Sequence, residues 1–263
     1  MDEPLNVIVT GGNRGVGRAV AAEAVRRGHR VTIMARRAAE GRAVAREIGA
    51  GLVVGDLSNL RTARAAAGEI AAVAPAVDAI VHNAALWPSR RVLNEDGFEE
   101  SFFANHLAPF LLNHLLERQL RRVVQVSAGL YVMGRVDPER TPAGDDFSAT
   151  KTYANTKLAN LMMVPLFAER WKEAGVTIDA VHPGVLRTGL GERRGFQGLL
   201  LRTVKRTLKS AEAAAEPVAD LLTGEGTGRY FNVRKQRPLR PVARDPELAR
   251  RVWDDAAKAV DVA

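Results

Sequence analysis

A tyrosine and a lysine stand four residues apart in Thr152-Tyr153-Ala154-Asn155-Thr156-Lys157. On a helix that spacing puts both side chains on one face. A free phenol titrates near about 10 and is a poor acid or base at neutral pH. A neighbouring ammonium stabilises the phenolate and brings it toward the working range, so the pair can exchange protons with an oxygen atom. A second stretch, Thr10-Gly11-Gly12-Asn13-Arg14-Gly15-Val16-Gly17, follows the largely apolar run from Leu5 to Val9. Glycine is costly where a strand becomes a helix unless the backbone must turn tightly or approach a ligand. Backbone N–H groups at a helix start can hold phosphate. The spacing of Gly11, Gly15 and Gly17 is G-x-x-x-G-x-G, and taken alone it is a turn as readily as a cradle.

The next strand adds the second clue. A dinucleotide site that reads a free ribose 2′-hydroxyl places an acid roughly 20 residues further on. Here Val31-Thr32-Ile33-Met34 runs into Ala35-Arg36-Arg37, and the first acid is Glu40. Arginine matches a 2′-phosphate in charge and in fork geometry. Arg14, inside the glycine loop, can reach the same phosphate. The solvated-surface reading of these arginines is the plainer one, but beside the glycine turn they predict NADP(H).

The elements that must position these groups follow from the hydrophobic pattern. Apolar, β-branched runs at 5–10, 30–34, 51–54, 77–82, 122–127, 176–181 and 228–232 alternate with helical periods at 15–27, 38–48, 59–73, 97–118, 150–171 and 210–222. Strands apolar along most of their length suit a sheet covered on both faces. The alternation predicts an α/β, Rossmann-type, doubly wound parallel sheet of about seven strands with helices on both faces. Pro165 is expected to kink the fifth helix or end its first half.

The 263 residues are 46% hydrophobic and 26% charged, an ordinary soluble globular balance, with no linker composition to divide them. A single domain over 1–263 is expected. The chain has no cysteine, which excludes disulfides and thiolate chemistry. No secretory signal or transmembrane run is read, and a cytoplasmic protein is expected. Net charge is +8, and thirteen Arg and Lys against five acids between Arg187 and Arg244 account for it. No nucleic-acid recognition motif accompanies that charge, so no specific nucleic acid is expected. The five histidines lack metal-ligand spacing, and Gln125 breaks the G-x-S-x-G elbow before Ser127.

Further stretches fall in order with the glycine turn: Gly55-Asp56-Leu57, His82-Asn83-Ala84-Ala85, Asn105-His106, and Pro183-Gly184-Val185-Leu186-Arg187-Thr188. With TYANTKLANL, VTIDAVHPGVLRT, GRYFN and ELARRVW, the chain resembles the short-chain dehydrogenase/reductase family, closest to its retinol-dehydrogenase-like branch, from about residue 5 to 257. The resemblance implies that Tyr153 passes the proton while a nicotinamide passes hydride, and that Lys157 also holds the nicotinamide ribose. It implies a proton-relay water on Asn105, adenine contact from Asp56 and Leu57, and a groove lined by Asn83 and Ala84. It places Gly11, Asn13, Arg14, Gly15, Val16 and Gly17 on the cofactor, together with Pro183, Gly184, Val185 and Thr188. It also implies a homodimer or homotetramer.

One departure stands out. The family carries a serine at the end of the fifth strand, and that position here is Ala128. Ser127 is adjacent and is the substitute candidate, although strand neighbours face opposite ways. Tyr131 and Ser148 are the other hydroxyls in reach. Residues 189–209 read as a substrate lid with an apolar face of Leu199, Leu200, Leu201, Val204 and Leu208 and a basic one, which suits an apolar small molecule, or an anionic or carrier-bound one. Two functions follow: an NADP(H)-dependent oxidoreductase interconverting a carbonyl and an alcohol on a bulky apolar molecule, or a non-catalytic or weakly active NADP(H)-binding sensor or scaffold, the reading Ala128 favours.

Overall fold

The computed structural model describes residues 3–74, 76–184 and 210–262. Eight strands, β1 Asn6–Thr10, β2 Arg30–Ala35, β3 Gly51–Val54, β4 Ala79–His82, β5 Arg122–Val126, β6 Thr177–His182, β7 Arg229–Asn232 and β8 Lys235–Arg237, form one sheet. Their order is β3-β2-β1-β4-β5-β6-β7-β8. All neighbours are parallel except β8, which returns antiparallel to β7. The order in which strands are added reverses between β1 and β4, the kind of switch point at which open α/β sheets bind ligands.

The helices are α1 Gly15–Arg26, α2 Ala38–Ile48, α3 Leu60–Val73, α4 Glu100–Phe102, α5 Ala108–Leu115, α6 Ala149–Arg170, α7 Ala211–Ala219 and α8 Pro246–Val260. A π-helical segment, Phe103–Leu107, joins α4 to α5. Strand alternation divides the core between the two faces of the sheet. Val7 and Val9 of β1 pack with α1 and α7, whereas Ile8 packs with α3, α5, α6 and α8. The doubly wound sheet expected from the sequence is the one observed.

The sequence-based boundaries differ from the structure in four places, each for a physical reason. β8 was not predicted, because Lys235, Gln236 and Arg237 are all exposed and carry no apolar signal. It exists because a two-residue turn folds it back on β7, pairing Asn232 with Lys235. α8 was not predicted, although Asp245 caps it by accepting from the N–H groups of Glu247 and Leu248 and Pro246 opens it. The long helix expected over 97–118 is 100–115 and is interrupted by the π segment. Pro165 does not end α6, which runs on to Arg170 with its residues from Thr152 to Val164 buried. Packing on that scale outweighs the one hydrogen bond a proline deletes. The lid expected at 189–209 lies outside the described residues, as do Val185 and Thr188.

Candidate active site

The cradle is built at the end of β1. Thr10 Oγ1 accepts the N–H groups of Asn83 and Ala84, both at 3.0 Å, and donates to Val81 O at 3.2 Å. That one hydroxyl ties the ends of β1 and β4 together. Asn83 Nδ2 donates to Thr10 O at 3.0 Å and Gly11 O at 3.3 Å, fixing the first turn of the loop. Gly11 and Gly15 have φ of +64° and +53°, a region that disfavours any side chain. α1 then begins with Arg14 at its N-cap and no side chain bonding its first amides. Those N–H groups are left for a ligand, and an anion is what a helix start favours.

Gly17 has a different job from the one expected. It does not line the cleft; a Cβ there would lie 2.3 Å from Asn83 Nδ2 and 2.4 Å from Gly11 O. It lets α1 press against the loop. Gly17→Ala is therefore expected to lower stability by about 1–3 kcal/mol, the usual cost of overpacking, read as a lower urea midpoint than wild type.

A cleft of about 610 Å³ opens along the ends of β1 to β4. Gly11, Asn13, Arg14, Gly15 and Val16 form one wall, and Arg36, Arg37, Asp56 and Leu57 another. Asn83, Ala84, Leu86 and Trp87 continue it toward α6. Arg36 is exposed and has no ion-pair partner among the described residues, whereas Arg37 is paired with Glu40 at 2.6 Å. A free guanidinium at the mouth, open amides at a helix start and a narrow glycine turn fit a phosphate-bearing dinucleotide. Pro183 and Gly184 follow β6 and are not in the cleft wall.

Tyr153 and Lys157 lie on the buried face of α6, with Lys157 Nζ 5.5 Å from the phenol ring centre. Lys157 Nζ donates to Val126 O at 3.2 Å. Burial pushes the Tyr153 phenol up to about 12 and the Lys157 ammonium down to about 8. Desolvation governs both groups, so at neutral pH the tyrosine is a phenol with its proton in place.

Asn105 sits in the π segment, and its side chain grips the cleft wall. Its Oδ1 accepts Leu86 N–H at 2.7 Å; its Nδ2 donates to Leu86 O at 2.9 Å and to Thr156 Oγ1 at 3.2 Å. Both amide hydrogens are thereby spent, so a water on Asn105 must use an oxygen. Its main-chain carbonyl accepts from Asn160 Nδ2 at 2.7 Å, and Asn160 Oδ1 lies 2.9 Å from His106 Nδ1. Burial holds His106 down at about 4, hence neutral.

Ser127 directly follows β5. Its N–H donates to Val181 O at 2.8 Å, and its hydroxyl is buried without a hydrogen-bond partner. Tyr131 is committed elsewhere: its hydroxyl accepts Arg240 N–H at 3.2 Å and its ring stands edge-on to Tyr230. Sequence reasoning missed Thr10, Thr156 and Asn160, whose bonds to backbone and to the Asn105 and His106 side chains brace the site. It also missed Trp87, which is stacked on Tyr153 with ring centres 4.5 Å apart and planes 10° apart. The available signal was a tryptophan just past a strand end, in the same loop as Asn83.

With this geometry in view, the family can be stated. The family model described as short chain dehydrogenase matches residues 5–195, and the chain belongs to that family of oxidoreductases. Among its relatives, human retinol dehydrogenase 13 is 32% identical over 97% of this chain and 84% of its own length. Mouse retinol dehydrogenase 14 is 34% identical over 94% of this chain and 83% of its own. A solved structure of a protein from Mycobacterium paratuberculosis shares the fold at a TM-score of 0.79 and 25% identity, covering 98% of this chain and 94% of that one. A short-chain dehydrogenase from Burkholderia cenocepacia J2315, determined in complex with NADP, matches at a TM-score of 0.70 and 23% identity, covering 86% of this chain and 95% of that one. Among the described residues no helix is long and apolar enough to cross a membrane.

Proposed function

We propose that this chain is an NADP(H)-dependent reductase of a carbonyl group on a bulky apolar molecule, with Tyr153 as the acid. The observation that carries the reading is the buried Tyr153–Lys157 pair on one face of α6, next to a glycine cradle whose helix start is uncapped. The chemistry a reduced nicotinamide dinucleotide supplies when bound in the cleft is hydride, delivered to the carbonyl carbon. Gly11, Gly15 and the first amides of α1 hold its phosphates, Asp56 and Leu57 flank its base, and Arg36 with Arg14 receives a 2′-phosphate. Tyr153 Oη gives its proton to the carbonyl oxygen as the C=O bond becomes C–O–H. Lys157, still largely charged at neutral pH, offsets the negative charge left on the phenol oxygen. Burial keeps the proton on Tyr153 at neutral pH, and because it also makes the phenol a weaker acid, the Lys157 charge that stabilises the phenolate is needed for the transfer.

The test is NADPH consumption over a panel of apolar ketones, aldehydes and quinones. Absence of turnover with every member, despite tight NADPH binding, would leave a nucleotide-binding protein rather than a reductase. The coenzyme choice has its own test. Arg36→Ala is expected to weaken NADPH binding about 10- to 100-fold, the worth of a charge-assisted hydrogen bond. NADH binding should be unchanged, both read by titration calorimetry. Equal losses for the two coenzymes would remove Arg36 from the 2′-phosphate.

A further inference from the structure

Carbonyl reduction builds negative charge on oxygen, and a second donor beside the acid is worth a large share of the rate. The end of β5 is poorly equipped to supply one. Ala128 has no side-chain donor, Tyr131 is anchored at Arg240, whose N–H its hydroxyl accepts, with its ring edge-on to Tyr230, and Ser148 is exposed at the start of α6. Ser127 has a buried hydroxyl, but its neighbour Ala128 takes the opposite face.

Trp87 combines three observations, of which Ser127 shares only the unpartnered buried donor. Its indole lies flat on the Tyr153 ring at 4.5 Å between centres. The same residue lines the cleft. Its Nε1 is buried and has no hydrogen-bond partner among the described residues. An indole N–H can only donate, and leaving it buried and unmet costs about 1–3 kcal/mol. A substrate carbonyl oxygen brought up to Tyr153 is an acceptor of the kind it lacks.

We infer that Trp87 Nε1–H is the second donor to the substrate carbonyl oxygen, beside the Tyr153 hydroxyl, in place of a serine hydroxyl from β5. The inference rests on the reductase reading above. Trp87 transfers no proton: it hydrogen-bonds the oxygen while Tyr153 protonates it, and the indole keeps its N–H throughout. The stack also fixes the phenol ring, so one side chain both orients the acid and shares the developing charge.

Trp87→Phe tests this, because it keeps an aromatic ring against Tyr153 while removing the N–H donor together with part of the indole's surface, and the rescue below separates the two losses. The expected result is a fall in kcat of about 10²-fold with NADPH affinity and the far-ultraviolet circular dichroism unchanged. Ala128→Ser added to Trp87→Phe is expected to restore part of the lost kcat, which a purely structural defect would not allow. Wild-type kcat in Trp87→Phe would overturn the inference, as would an equal loss in Ser127→Ala that Trp87→Phe lacks. Loss of NADPH binding in Trp87→Phe would make Trp87 a cofactor-site residue and overturn it too. If wild type reduces no carbonyl, the reductase reading fails first and this one falls with it; an active wild type matched by Trp87→Phe sinks only the present inference.

Discussion

Tyr153→Phe is expected to lower NADPH-dependent carbonyl reduction by about 10²- to 10⁴-fold, the range spanned by a positioned general acid. NADPH should still bind, because the cleft walls do not include the phenol. The ring remains to stack on Trp87 and fill the same buried space, so unfolding should move little. Single-turnover kinetics with saturating NADPH separates the two effects: binding kept, chemistry lost. A variant as fast as wild type would remove Tyr153 from the reaction. The pH profile carries the sign. Because burial keeps the phenol protonated to about 12, wild-type reduction should not fall through the neutral range for want of that proton. Alcohol oxidation, which needs the phenolate, should rise as pH increases.

Lys157→Met is the second large effect, and it works in two directions at once. Activity should fall by about 10²-fold or more, since the charge that offsets the phenolate is gone. Stability should rise. Wild-type Lys157 titrates near about 8 in the folded protein against 10.5 in the open chain. Below pH 8 both states carry the proton, and the folded state pays the full cost of a buried ammonium, about 3 kcal/mol for a shift of this size. The lost hydrogen bond to Val126 O gives back about 1 kcal/mol, leaving a net gain of about 2 kcal/mol for the variant at pH 7. Between pH 8 and 10.5 the folded lysine becomes neutral before the unfolded one, so wild-type stability climbs and the gap closes. Urea unfolding of both proteins at pH 7, 9 and 10.5 measures it. A gap that stays constant across that range would show that the lysine is not held below its ordinary value.

The parts of this molecule that were legible in its sequence are those governed by periodicity and by glycine. Apolar runs gave β1 to β7 within one or two residues, because strands covered on both faces are apolar along most of their length. Tyr153 and Lys157 were legible because four residues on a helix define a face. What escaped depended on partners distant in sequence. β8 is polar and is held only by its turn onto β7. Trp87 acquires meaning only against Tyr153, sixty-six positions away. The desolvation of Tyr153 and Lys157 was not legible, because spacing reports proximity and says nothing of burial. Gly17 was assigned to a ligand although its contact is Asn83, a distinction no glycine pattern can draw.

The π segment between α4 and α5 has a consequence for the helix as a whole. A π turn holds one residue more than an α turn, which shifts the angular phase of everything after it by about 100°. Asn105 points its amide at Leu86 in the cleft wall, while Leu107, Ala108, Leu111 and Leu112 stay wholly within the core. A regular helix would have to choose between those two alignments. The extra residue acts as a phase shifter, letting one rod serve a polar clamp at its start and an apolar stripe beyond it. Insertions or deletions between Phe103 and Leu107 are thus coupled faults, since any change that rotates the core stripe also turns the clamp away from the site.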